Sequence, residues 1–301
     1  MQKAPPTPKG FRDILPETAK KRRQVIRTIE DVLGEFNFVP LETPTLEFAE
    51  TLTGKYGAEE KLIYKFQDRG GRDLALRYDL TVPLARFIAN NQGLLTPTFS
   101  RYQTGQVFRG ENPQHGRYRE FTQFDMDTVG SFDLKEDAKV AAAAIKAAKA
   151  IGLKTALLTI NDRRNFEGIP IEVIRALDKI HKIQREGVEK ELQDQGHTKQ
   201  DIDQYLDKLL NAKPTKELQE VFEILKKDYD IEKEVLFDTT LARGLDYYTG
   251  SIFELKSSDN LESLSVGAGG RYDNLVGMFA GKQIPAVGFS FGIDRIVDIL
   301  S

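Results

Sequence analysis

Between Phe108 and Asp127 the chain reads FRGENPQHGRYREFTQFDMD, which concentrates side chains able to handle charge and rings. The apolar approach through Val107 and Phe108 breaks at Asn112-Pro113 and Gly116, and alternation then resumes, predicting two strands around a charged loop. On the returning strand a period of two places Arg117, Arg119, Phe121, Gln123, Asp125 and Asp127 on one face. Tyr118, Thr122, Phe124 and Met126 occupy the other face, and Arg109 and Glu111 arrive from the incoming strand. Two guanidiniums, a ring, an amide and two carboxylates on one surface could hold phosphates, stack a base and bind an amine or imidazole. The same pattern is also what a solvated face laced with cross-strand ion pairs would present. Spacing alone leaves both open.

The elements that must carry this face can be read around it. Pro16-Glu17 opens a helix running to about Phe36, with Val25, Ile29, Val32 and Leu33 at helical spacing. Strand-like Phe38–Leu41 follows, then Pro44 and a polar stretch to Gly57. Leu62–Gln67 and Asp73–Tyr78 flank Asp68-Arg69-Gly70-Gly71 and predict a hairpin. Thr81–Asn90 reads as a helix, and alanine-rich Asp137–Ile151 as another that ends at Gly152. From 162 to 232 the chain turns charged and helical, with Ile202, Tyr205, Leu206 and Leu209, then Leu218, Val221, Phe222 and Leu225, on apolar stripes. Strands return at Val235–Thr239, Tyr248–Leu255 and Ala286–Phe291, and a last helix carries Ile293, Ile296, Val297 and Leu300 on one side. The expectation is an α+β fold with mostly antiparallel strands: a first part at 1–161, a helical insertion at 162–232 and a second part at 233–301.

Composition excludes several classes. With 301 residues, 40% of them hydrophobic, the chain can bury a sizeable core. The 43 Lys and Arg against 46 Asp and Glu leave no bulk nucleic-acid signature, so any such contact must be local. Residues 1–30 hold eight Lys/Arg against three acids, which by default describes a solvated helix face. Zero cysteines remove disulfides and thiolate metal sites. No apolar run is long enough to span a membrane, so a soluble cytoplasmic protein is expected. The histidines at 115, 181 and 197 lack ligand-like spacing. Gly277–Gln283 is one residue short of a P-loop, and Gly267-Ala268-Gly269-Gly270 lacks the last glycine of a dinucleotide fingerprint. If a nucleotide binds, strands and side chains must hold it.

Two further constellations favour a site. Leu241–Gly250 reads LARGLDYYTG, an unusual turn in which Arg243 and Asp246 bracket Gly-Leu ahead of paired Tyr247 and Tyr248. A tight loop with an incidental salt bridge would be the plain alternative. Arg295 falls in the first turn of the last helix, where a cation opposes the helix dipole and an anionic ligand would relieve the conflict.

With these residues in view the chain resembles the histidyl-tRNA synthetase family of class II aminoacyl-tRNA synthetases. The likeness rests on Pro8–Asp13, LRYDLTVPLAR from Leu76 to Arg86, the Phe108–Asp127 stretch, ARGLDYYTG, GGRYDNLV and AVGFSFGIDR, in the family's order. The resemblance implies a six-stranded antiparallel sheet flanked by helices and a homodimer built around the first conserved motif. It covers a catalytic core without the C-terminal anticodon-binding domain of longer relatives.

The same resemblance implies roles. Arg109 and Arg117 would grip ATP phosphates, Glu111 would read the adenine amino group, Phe121 would stack on the ring and Arg295 would hold the distal phosphates with Mg²⁺. Asp79, Thr81 and Gln123 would take the α-amino group of L-histidine, and Tyr247 would line that side. Asp127 and Tyr248 would bracket the imidazole, and Arg243 would sit by the histidine carboxylate and the α-phosphate, sharing the catalytic role with Arg109. Gln114 would face the acceptor arm of tRNA(His). Asp127 stands where many relatives have Glu, and Asn112 where some have Arg. The rival from another class is a non-catalytic histidine-binding paralogue that partners an ATP phosphoribosyltransferase. Such relatives typically lose the arginines retained here at 109, 243 and 295. A pseudo-synthetase sensing uncharged tRNA meets the same objection.

Overall fold

The computed structural model describes residues 5–113, 117–242 and 247–301. The chain opens with α1 (Pro16–Glu35), proline at its first position, then β1 (Val39–Pro40), β2 (Leu46–Phe48) and the short α2 (Ala49–Leu52). The predicted hairpin forms as β3 (Lys65–Gln67) and β4 (Asp73–Leu76), and α3 spans Thr81–Asn90 as its pattern indicated. Two ten-residue strands follow, β5 (Phe99–Phe108) and β6 (Glu120–Val129). Helix α4 (Leu134–Ala150) starts three residues earlier than expected because Asp133 caps it, accepting from the Lys135 amide at 2.9 Å. After β7 (Leu157–Asp162) come α5 (Ile171–Leu177), α6 (Ile180–Asp194, broken at Gln184), α7 (Lys199–Leu210) and α8 (Lys216–Tyr229). The chain ends through β8 (Val235–Phe237), β9 (Ser251–Lys256), β10 (Ser265–Arg271), α9 (Gly277–Ala280), β11 (Ala286–Gly292) and α10 (Ile293–Ile299).

One eight-stranded sheet runs β1-β5-β6-β11-β10-β9-β7-β8. Its six central strands are antiparallel neighbours, and β1 and β8 add one parallel strand at each edge. The expected six strands are therefore there, with two edge strands beyond them. A small second sheet, β2-β4-β3, joins the predicted hairpin to β2, a strand that forms within the polar stretch before Gly57.

The back of the large sheet is apolar. Phe124, Met126, Val287, Phe289 and Phe291 pack against α1, α4, α8 and α10, and the alanines of α4 let that helix lie close to the strands. The segment at 162–232 divides between the two faces: α8 joins this back layer, whereas α5, α6 and α7 belong to a second core with α2 and α3. The basic N-terminal run is only partly solvated. Arg12 and Arg22 reach Asp294, Arg22 also meets Thr122, and Lys21 meets the carbonyl of Leu300, while Lys20, Arg23 and Arg27 are exposed. Those inward cations tie α1 to β6 and α10.

Candidate active site

Register decides which side chains share the front of the sheet. Opposite Gln123, Asp125 and Asp127 on β6 lie Gly105, Gln103 and Arg101 of β5 and Gly292, Ser290 and Gly288 of β11. Gly270 and Ala268 of β10 continue that row. Bulky polar groups on β5 and β6 therefore face small residues on β11 and β10, which leaves a trough. Its floor leaves no spare volume. A Cβ at Gly288 would overlap the Asp127 carboxylate, and one at Gly270 would lie 2.9 Å from the Tyr248 ring.

Around Asp125 and Asp127 this front face is buried, so there it is not the solvated ion-pair surface that spacing also allowed: Asp125 is 2% exposed, Asp127 3% and Arg101 fully buried. Arg101 Nη2 lies 2.7 Å from Asp127 Oδ2, off the N–H axis, so the contact is charge pairing rather than an aligned hydrogen bond. The same Nη2 donates to the carbonyl of Leu80 at 3.2 Å, while Nε and Nη1 have no partner among the described residues. Burial pushes both carboxyls up, Asp125 to about 7, and Arg101 pulls against that rise at each. Asp127 Oδ1 accepts from the Tyr272 hydroxyl, whose own ionisation burial and Asp127 drive upward. The hydroxyl on Asp127 thus belongs to Tyr272. Tyr248 is buried against Tyr247 with ring centroids 4.9 Å apart, and Tyr247 in turn lies 5.9 Å from Tyr272.

Asp79 sits at the start of α3, accepting through Oδ1 from the amides of Thr81 at 3.1 Å and Val82 at 3.0 Å. The Tyr56 hydroxyl donates to the same oxygen at 3.1 Å. Burial raises Asp79, opposed by those amides, by Arg109 and by Tyr56. Asp79, Tyr56, Tyr247 and Tyr272 all interact electrostatically with Tyr247 or with one another, so Asp79 and Asp127 share one neighbourhood across the trough.

The other end is cationic and aromatic. Arg109 donates to the Tyr78 carbonyl at 3.2 Å, with its guanidinium 4.3 Å from the centre of the Tyr78 ring and 5.1 Å from that of Phe121. Arg117 is exposed and 3.8 Å from Glu111. Arg119, grouped with this face by its spacing, instead donates to the carbonyl of Glu111 at 2.8 Å and lies against Gly10. Exposed Arg295 donates to the Ser265 carbonyl at 2.6 Å. Beside it, buried Asp294 accepts from the Thr122 amide at 2.6 Å and pairs with Arg12 and Arg22, so an acid of the chain answers the positive start of α10. Arg243 and Gln114 lie outside the described residues.

Of the expected residues the structure groups Asp79 and Thr81 with Tyr247 and Tyr248, sets Gln123 and Asp127 on the same face of β6, puts Arg109 against Phe121 within electrostatic reach of Asp79, and pairs Arg117 with Glu111. Sequence reasoning missed Arg101, Tyr56, Tyr272 and Ser290, and gave Asp125 no role. Tyr272 stood in a quoted motif, but no pattern pairs it with Asp127 before the fold is known.

Comparison with known proteins places the chain in a family. A family model described as histidyl-tRNA synthetase matches residues 10–296. A histidine–tRNA ligase of Aeropyrum pernix is 44% identical over 324 residues, covering 98% of this chain and 74% of the relative. One from Helicobacter acinonychis is 39% identical, covering 98% and 75%. Among solved structures, the histidyl-tRNA synthetase of Nostoc sp. PCC 7120 superposes with a TM-score of 0.82 at 28% identity, covering 98% of this chain and 75% of that one. A Bacillus halodurans protein titled as an ATP phosphoribosyltransferase regulatory subunit/histidyl-tRNA synthetase gives 0.84 at 25% identity, covering 100% and 85%.

Proposed function

We propose that this chain, which belongs to the histidyl-tRNA synthetase family, joins histidine to ATP, releasing pyrophosphate, and passes the histidyl group to tRNA(His). One observation carries the reading: Gln123 Oε1 and Asp127 Oδ2 are buried acceptors on one strand face, each without an aligned donor among the described residues. A buried acceptor without a donor costs about 1–3 kcal/mol; Gln123 Oε1 bears that cost outright and Asp127 Oδ2 offsets it only through the Arg101 charge, so a ligand bringing two donors fits there. Histidine brings an α-ammonium and an imidazole N–H. Gln123, with Asp79 and Thr81, takes the first. Asp127 takes the second, held by Tyr272 and Arg101, while Tyr247 and Tyr248 wall the ring.

ATP occupies the cationic end. Arg109 and Arg117 hold its phosphates, Phe121 stacks on adenine, Glu111 accepts from the adenine amino group and Arg295 takes the distal phosphates. Mg²⁺ enters with ATP, whose phosphate oxygens are hard ligands; among the described residues no group of three or more His, Cys, Asp or Glu side chains is placed to hold a metal ion. A histidine carboxylate oxygen attacks the α-phosphorus, the bond to the bridging oxygen breaks, and pyrophosphate leaves with that electron pair. Arg243 neutralises the charge that develops, so catalysis is positioning plus electrostatics. The terminal ribose hydroxyl of tRNA then attacks the acyl carbon and AMP departs.

A homodimer is supported by apolar side chains left open around β1 and the small sheet: Val39, Leu46, Phe48 and Phe66 are each 44–52% exposed. We place the acceptor arm near Gln114 and the inserted helices α5–α7. No helix among the described residues is long and apolar enough to cross a membrane, and we assign the protein to the cytoplasm. The test is ATP–pyrophosphate exchange against a panel of amino acids. Histidine alone should support it, and Arg243→Ala should abolish it. Histidine binding without exchange would instead favour the regulatory paralogue.

A further inference from the structure

Gln123 has glycines on both sides, Gly105 on β5 and Gly292 on β11, so neither cross-strand neighbour packs its amide. Among the described residues the side chain makes one hydrogen bond, Nε2 donating to Ser290 Oγ at 2.7 Å. Ser290 Oγ in turn meets Asp125 Oδ1, and Asp125 is buried directly across from it in register. A hydroxyl has one proton. With Asp125 ionised the carboxylate only accepts, so Ser290 gives it its proton and turns lone pairs toward Gln123. Only the NH₂ group of the amide can meet a lone pair. The carbonyl oxygen must then point the other way, and it is the buried Oε1 that lacks a partner. Burial raises Asp125 to about 7 and Arg101 opposes that rise, so this arrangement holds above about pH 7, where the test is read.

We propose that Ser290 and Asp125 are positioning residues: a one-way hydrogen-bond chain, Gln123 to Ser290 to Asp125, fixes the Gln123 amide so that it offers a carbonyl oxygen, never an NH₂, to the α-ammonium of the amino-acid substrate. The inference rests on the proposed function for its ligand, and it adds the layer beneath the residue that touches that ligand. Without the chain the amide rotates freely and half of its orientations aim a donor at a cation.

The test is Ser290→Ala in the full chain, with exchange kinetics and calorimetric binding of two ligands, histidine and imidazolepropionate, which lacks the amino group. The variant should raise the KM for histidine about tenfold, the loss of one charge-assisted contact. The KM for ATP, the kcat and the affinity for imidazolepropionate should stay within about twofold. Ser290→Thr should restore the wild-type KM, since it returns the hydroxyl. Asp125→Asn keeps an acceptor for Ser290 and should resemble wild type more than Ser290→Ala does. Equal loss for both ligands, or a wild-type KM for histidine in Ser290→Ala, would overturn the proposal. Absence of exchange in the wild-type protein would strike the proposed function itself, and the two-ligand binding comparison would still decide the role of Ser290.

Discussion

Replacing Arg101 with methionine removes a fully buried guanidinium while keeping most of its volume. Its charge faces Asp127 Oδ2 at 2.7 Å and also acts on Asp125. Removing one partner of a buried pair typically costs about 3–5 kcal/mol, because the other charge is left without compensation. Two considerations bound that figure. Among the described residues Nε and Nη1 of Arg101 have no hydrogen-bond partner, so their removal relieves about 1–3 kcal/mol each of unmet desolvation. Against this, two carboxylates lose their cation instead of one. These opposing terms leave a net loss of about 3 kcal/mol at neutral pH. Over 301 residues, with about 2.1 cal/mol/K of unfolding entropy per residue, that corresponds to a fall in Tm of roughly 5 °C. The sign with pH is the sharper feature. Burial raises the pKa values of Asp125 and Asp127 in the folded state, so protonation on acidification relieves them, and the loss in Arg101→Met should shrink as pH falls through about 7. Calorimetric melts of wild type and Arg101→Met at pH 5 and pH 8 measure the difference. Arg101→Met/Asp127→Asn should recover much of the stability at pH 8. A loss equal at both pH values, or no recovery in the double variant, would refute the reasoning that Arg101 acts through carboxylate charge.

Other perturbations separate the parts of the site. Gly288→Ala places a methyl group where the Asp127 carboxylate lies and 3.0 Å from the Met126 carbonyl; kcat/KM for histidine should fall about 10²-fold with the ATP KM nearly unchanged. Asp125 titrates at about 7 in the folded protein against an ordinary 3.8, so the stability it contributes is full below the ordinary value and lost as pH rises through about 7. Burial sets this titration first, with Arg101, Asp127, Ser290 and Asp79 the groups that face it, and Asp125→Asn should flatten the urea midpoint between about pH 4 and pH 7.

Much of this was legible in the chain because strong patterns coincide with the site. The period-two run through Gln123, Asp125 and Asp127 places them on one face whatever the sheet around them, and α3 keeps its boundaries because Asp79 caps the turn that its spacing announces. Strand β10 was hidden for a physical reason. Gly267, Gly269 and Gly270 offer little strand propensity, yet they are needed where the rings of Phe289 and Tyr248 and the backbone of β11 approach too closely for a Cβ. Arg101 reads in sequence as one more polar strand residue. Its meaning depends on the register that sets it opposite Asp127, and Tyr272 and Ser290 likewise depend on long-range pairing. Local period shows a face; only the assembled sheet shows which groups meet on it.

The central claim is that one polar sheet face divides into a histidine end at Asp127 and an ATP end at Arg109. Histidine-dependent ATP–pyrophosphate exchange, with both KM values determined for Asp127→Asn and Arg109→Lys, tests it most directly. The account predicts that Asp127→Asn raises the KM for histidine at least about tenfold and leaves that for ATP within about twofold, with the reverse for Arg109→Lys. Parallel changes in both constants in both variants, or a histidine KM indifferent to Asp127, would contradict it.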